Sequence, residues 1–163
     1  MKKLLKWMLV LAVLCALGVL PFRATDVAEL LPVRTVIVTR SGKELTVDVG
    51  AGVKAVGATL SEALETLKRE VTGEVFFRTA EQVVVAEPAK DAITQVVQEP
   101  AFRPAAGICL TPETDADANE LADYLESHRV DLTITQARAE LLEGREPNLP
   151  TVRRADGGWL VER

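Results

Sequence analysis

The front of this sequence carries an unbroken apolar run from Trp7 to Leu20, preceded by three lysines and followed closely by Arg23. With its flanks, the run is just long enough to cross the hydrocarbon core of a bilayer, which takes about 20 residues. The excess of positive charge before the run predicts that the N-terminus stays inside the cell and that the rest is exported. We therefore predict a signal anchor at residues 1–23 and an extracytoplasmic domain at residues 24–163.

Three fates of the apolar segment are open at this level. An uncleaved anchor is favoured, because no good pair of small residues for a signal peptidase lies around Ala24. Cleavage near Ala24 is the alternative. Cys15 raises a third option, a lipoprotein, but lipid attachment needs a small residue before the cysteine and Leu14 is large. We interpret Cys15 as part of an apolar helix.

Charge is divided unevenly between these two parts. Four of the 19 basic residues flank the apolar segment, which leaves 15 basic residues against all 24 acidic ones and a net charge of −9 for the domain. Nucleic-acid affinity comes from neutralised phosphates, so a domain this acidic predicts no nucleic-acid partner. The same charge predicts that the domain does not lie flat on an anionic membrane and that the anchor holds it there.

The pattern after the anchor predicts an α/β (α+β) fold, in which a mixed β-sheet with a leading hairpin packs against three to four helices. Residues 33–40 are rich in β-branched side chains, residues 43–49 alternate apolar and polar, and Ser41 and Gly42 supply a turn between them. Thr59, with a glutamate three residues later, forms a capping box at the start of the first helix.

The later segments complete this pattern. Residues 74–86 form one bent strand or two short ones, and their second half is apolar on both faces, which is typical of a central strand. Residues 105–110 predict a short buried strand. Further helices are expected after Pro88, from about Ala118 and over residues 135–143, and a last hairpin carries Trp159. Helices packed on one mixed sheet are therefore the expected architecture.

Few residues are arranged in a way that supports catalysis. His128 is the one histidine and ends a polar helix, while Cys109 lies in the buried strand, so neither a Ser-His-Asp nor a Cys-His arrangement is credible. Asp115 and Asp117 lack the glycine and distal glutamate of a calcium loop, and we interpret them as part of a helix cap. We predict no enzymatic activity, no cofactor and no metal site.

Residues 52–59 resemble a nucleotide-binding P-loop in spacing alone. Ala58 stands where that motif needs lysine, so the contact to the terminal phosphates would be missing. We interpret the segment as a turn followed by a helix cap.

The stretch VGATLSEAL at residues 56–64 contains the pattern G-x-T-x-x-E-A. It resembles a helix in the N-terminal domain of the C-subunit (Ger(x)C-like) family of bacterial spore germinant receptors. Further similar segments follow at residues 73–77, 83–87, 102–103, 108–110 and 141–150. The resemblance covers roughly residues 26–150. Family members are usually lipoproteins and carry further domains, so the chain would correspond to their N-terminal domain alone.

The resemblance implies an extracytoplasmic, non-catalytic partner of integral membrane subunits in a spore-forming bacterium, and it implies no catalytic residues. We expect an anchored accessory domain of a spore germination receptor or sporulation membrane complex. Its candidate partner contacts are Phe76, Phe77 and Trp159 where these are exposed, although each could instead belong to the core. The alternatives are a small-ligand-sensing domain, which needs a pocket with convergent polar groups, and a self-assembling structural protein.

Overall fold

A computed structural model describes residues 30–155 and 158–162 of the chain. The predicted anchor at residues 1–23, with Cys15 and the possible cleavage site near Ala24, lies outside these residues. Among the helices of the described part, none combines the length and the apolar character needed to cross a bilayer.

The described residues form nine β-strands and four α-helices, which confirms the mixed α/β class. The strands are β1 (Leu30–Pro32), β2 (Thr35–Ser41), β3 (Glu44–Asp48), β4 (Lys54–Gly57), β5 (Glu74–Phe76), β6 (Gln82–Ala86), β7 (Gly107–Thr111), β8 (Thr151–Ala155) and β9 (Gly158–Glu162). The helices are α1 (Leu60–Glu70), α2 (Ile93–Gln98), α3 (Ala118–Ser127) and α4 (Ile134–Leu142). Two short 3-10 helices span Phe77–Thr79 and Glu87–Ala92.

Seven strands form one sheet in the order β4-β3-β2-β6-β7-β8-β9. Strands β2, β6, β7 and β8 run parallel, and an antiparallel hairpin closes the sheet at either end. The predicted leading hairpin is therefore confirmed as β2–β3, and the predicted last hairpin as β8–β9. Strand β6 lies in the middle and all of its residues are buried, as its apolar sequence predicts.

The helices cover the two faces of this sheet unequally. Helices α1, α2 and α4 pack on one face, around Val36, Val83 and Ile108. Helix α3 packs on the other, around Val84 and Cys109. We call these the three-helix face and the one-helix face. Because the strands contribute apolar side chains alternately to both faces, the central strands are buried on each side.

A separate two-stranded ribbon, β1–β5, lies beside the main sheet. Its strands are parallel, with Leu31 opposite Val75 and Pro32 opposite Phe76. The predicted segment 74–86 thus divides into two short strands, β5 and β6, joined by the 3-10 turn at Phe77–Thr79. That turn carries the chain from the ribbon into the middle of the main sheet.

The interpretation of residues 52–59 as a turn and a cap is wrong in one respect, because Lys54–Gly57 form strand β4. A pattern of only four residues, both polar and apolar, is too short to predict a strand. Pairing with β3 stabilises their extended conformation. The predicted cap is confirmed: the Glu62 amide donates to the Thr59 hydroxyl at 3.3 Å. The Glu62 carboxylate accepts from the Ala58 amide at 2.9 Å, one residue before the expected position.

Candidate functional site

The three candidate partner contacts do not form one surface. Phe77 is only 3% exposed and meets the Phe102 ring edge-on at 6.1 Å between centroids, so it belongs to the core. Trp159 is 9% exposed and lies under the guanidinium of Arg154, 5.1 Å from the ring centroid. Neither is available to a partner. Phe76, at 38% exposure, is the one that keeps an accessible face.

Phe76 ends strand β5, and the adjacent turn is held firmly. The Thr79 hydroxyl accepts a hydrogen bond from the Val33 amide at 3.0 Å and lies 2.7 Å from the Phe76 carbonyl oxygen. Beside Phe76, Pro32 is exposed and Leu31 is half-buried. The exposed ring therefore sits on a fixed support, the condition under which an apolar side chain can act as an anchor for another protein.

A crevice of about 540 Å³ opens beside the end of helix α3. Its walls come from the segment after α3, from the first turn of α4, from the approach to β8 and from β9. The lining residues are His128, Arg129, Val130, Asp131, Leu132, Gln136, Asn148, Pro150 and Val161. Its volume is in the range of pockets that enclose small ligands. Sequence reasoning missed this site, because its members are spread over more than 30 residues and share no motif.

His128 forms one lip of the crevice. Its ring stacks on Tyr124, with 4.3 Å between centroids and 7° between planes, and its Nδ1 lies 3.1 Å from the Tyr124 carbonyl oxygen. If Nδ1 carries the proton that this carbonyl accepts, Nε2 is left as an acceptor. His128 itself is exposed, at the C-terminal end of α3. Cys109 is 0% exposed inside the sheet and is not among the residues that line the crevice.

Two further polar groups of the crevice are oriented by their neighbours. The Gln136 side-chain oxygen accepts from the Thr133 amide at 2.8 Å and from the Thr133 hydroxyl at 2.9 Å, completing the capping box of α4. This use of the oxygen leaves the Gln136 amide NH₂ as a donor. Arg129 contacts the Glu81 carboxylate at 3.4 Å. The crevice thus combines oriented polar groups with aliphatic ones.

The thiol and the acidic cluster that the sequence singles out both have structural surroundings in the described residues. Burial raises the pKa of the Cys109 thiol to about 12, so the sole thiol in this part of the chain stays protonated. Asp117 caps α3 by accepting from the Asn119 and Glu120 amides at 2.8 and 3.0 Å, as predicted for this acidic cluster. Over residues 30–155 and 158–162, no three His, Cys, Asp or Glu side chains are grouped to hold a metal ion.

Comparison with protein-family models, with curated proteins and with solved structures gives no match to this chain.

Proposed function

We propose that this protein is a membrane-anchored, extracytoplasmic, non-catalytic domain that binds integral membrane proteins, as an accessory of a spore germination receptor or sporulation membrane complex. The observation that carries the proposal is the position of the exposed Phe76 on the ribbon through which the chain enters the domain. The resemblance to germinant-receptor C-subunits suggests the biological setting.

The distance from the proposed anchor to the ribbon is short. Leu30, the first residue of β1, follows Arg23 by seven positions. An extended chain advances about 3.3 Å per residue, so the ribbon would lie within roughly 23 Å of the end of the anchor. Because Phe76 is paired with Pro32 on this ribbon, its exposed ring would be held close to the lipid surface, within reach of a neighbouring membrane subunit.

The proposal includes no enzymatic role. Two residues with reactive side chains, Cys109 and His128, support this. The thiol of Cys109 is buried, and the His128 ring is stacked on Tyr124 with one nitrogen directed at a backbone carbonyl. Neither arrangement resembles an activated nucleophile beside a base.

Site-specific photocrosslinking in native membranes tests the proposal. A photoreactive amino acid replaces Phe76 in the full chain, and in a matched control it replaces Val56, which is similarly exposed at 44% but lies on β4. We expect adducts with multi-span membrane proteins from position 76 and none from position 56. Equal labelling from both positions, or recovery of the chain from the soluble fraction, would overturn the proposal.

Ligand sensing is a second candidate function, and the crevice beside α3 favours it. It supplies the convergent polar groups that such a function requires.

A further inference from the structure

We propose that the crevice beside α3 binds an uncharged, extended peptide segment. This site is distinct from the Phe76 ribbon, so the inference does not depend on the partner proposed above. It rests on four observations: the partners of the charged groups in the crevice, the amides that line it, its apolar surface, and the unpaired strand edge beside it.

The charged groups of the crevice already have partners. Arg129 meets the Glu81 carboxylate at 3.4 Å, and Asp131 also takes part in an interaction. The side chains of Arg129 and Glu81 are 68% and 44% exposed, so a charged ligand would have to compete with this pair and would gain little from a solvent-screened contact. The charge balance therefore favours a ligand without net charge.

The groups left for a ligand are neutral amides. Gln136 presents its NH₂ as a donor, because its oxygen is used by Thr133. Asn148 is exposed, and its side chain makes no hydrogen bond to any other residue of the described part. A carboxamide offers a donor and an acceptor side by side, which matches the C=O and N–H groups of a peptide backbone.

The apolar surface of the crevice is aliphatic. It comprises Val130, Leu132, Pro150 and Val161, and the one aromatic ring among the lining residues is the His128 imidazole, which is stacked on Tyr124. In an extended peptide, alternate side chains project to the same side, so aliphatic ones could pack on this surface while the backbone meets the amides.

The crevice also adjoins the edge of the sheet. Val161 belongs to β9, which pairs with β8 on one side and with no other strand of the described part. An extended segment leaving the crevice would meet an unpaired strand edge, the element to which peptides add in many complexes.

Titration followed by NMR tests the inference on the isotope-labelled full chain in detergent micelles. The probe is the blocked tripeptide acetyl-Ala-Val-Ala-amide, and sorbitol and acetate are the comparison compounds. We expect saturable shifts of the side-chain NH₂ signals of Asn148 and Gln136 with the tripeptide, at a dissociation constant in the millimolar range. Sorbitol and acetate should cause no saturable shift.

Two variants make the test specific. Asn148→Ala should weaken binding of the tripeptide at least fivefold, and Gln98→Ala, an exposed glutamine at the end of α2, should leave it unchanged. Since Asn148 is exposed and unbonded, its replacement should preserve the spectrum of the folded domain. Absence of a saturable shift, an equal response to sorbitol or acetate, or unchanged binding in Asn148→Ala would each overturn the inference. None of these outcomes bears on crosslinking from position 76.

Discussion

The three-helix face and the one-helix face of the sheet differ in how completely they are packed. The cluster on the three-helix face has 27 buried residues, and the cluster around α3 has ten. Two buried polar atoms without a hydrogen bond, Gln82 Oε1 and Trp159 Nε1, lie on the one-helix side, next to which the crevice opens. The difference suggests that one face supplies most of the stability and leaves the other free to carry a binding site.

Truncation of a buried leucine on each face tests this contrast most strongly. Leu64 in α1 is 2% exposed and Leu121 in α3 is 0% exposed. We expect Leu64→Ala to lower the free energy of unfolding by about 4 kcal/mol and Leu121→Ala by about 3 kcal/mol, because the thinner layer can relax further around a cavity. Urea unfolding followed by circular dichroism measures both. A larger loss for Leu121→Ala would contradict the contrast.

The junction of β4 and α1 should tolerate no added atom. A Cβ at Gly57 would lie 2.5 Å from the backbone nitrogen of Ala63 and 2.9 Å from the carbonyl carbon of Glu62. We expect Gly57→Ala to cost about 3 kcal/mol, since backbone atoms must shift. Val56→Ala, at an exposed neighbouring position, is the control and should change the unfolding free energy by less than about 0.5 kcal/mol. Similar losses for both variants would remove the steric explanation.

Cys109, in the middle of the one-helix face, should make stability depend on alkaline pH. Burial raises its pKa from 9.0 to about 12, so above pH 9 the thiol ionises in the unfolded chain but not in the folded one. Its contribution to stability is complete below pH 9 and is lost as the pH rises towards 12, at about 1.4 kcal/mol per pH unit. Cys109→Ala should show a correspondingly shallower decline. Parallel stability curves for the two proteins between pH 9 and 11 would refute this account.

Trp159 should yield the smallest effect. Its indole N–H is buried without a hydrogen bond, so Trp159→Phe removes an unsatisfied donor and some packing, and it weakens the contact with Arg154. These effects oppose one another, and we expect a net change within about 1 kcal/mol. Trp159→Ala is the comparison and should cost about 3 kcal/mol, because it empties the site. A loss from Trp159→Phe as large as that from Trp159→Ala would show that the donor has a partner.

The segment that resembles germinant-receptor C-subunits has a structural explanation in this fold. Gly57 allows β4 to approach α1, Thr59 caps the helix, and Glu62 accepts from the Ala58 amide. Each residue of the pattern has a role that depends on neighbours within about six positions. This is why the sequence was sufficient to locate the helix start, although it did not reveal the strand before it.

By itself, the sequence determined the elements whose cause is local: the β2–β3 hairpin, the cap of α1, and the strand β6 that is apolar on both sides. Only the tertiary structure decided which apolar side chains are accessible. Phe76 and Phe77 are adjacent and chemically identical, yet the turn after β5 leaves one exposed and buries the other against Phe102. The crevice likewise exists because packing brings α3, α4 and β9 together, and contacts between distant residues leave no periodic trace in the chain.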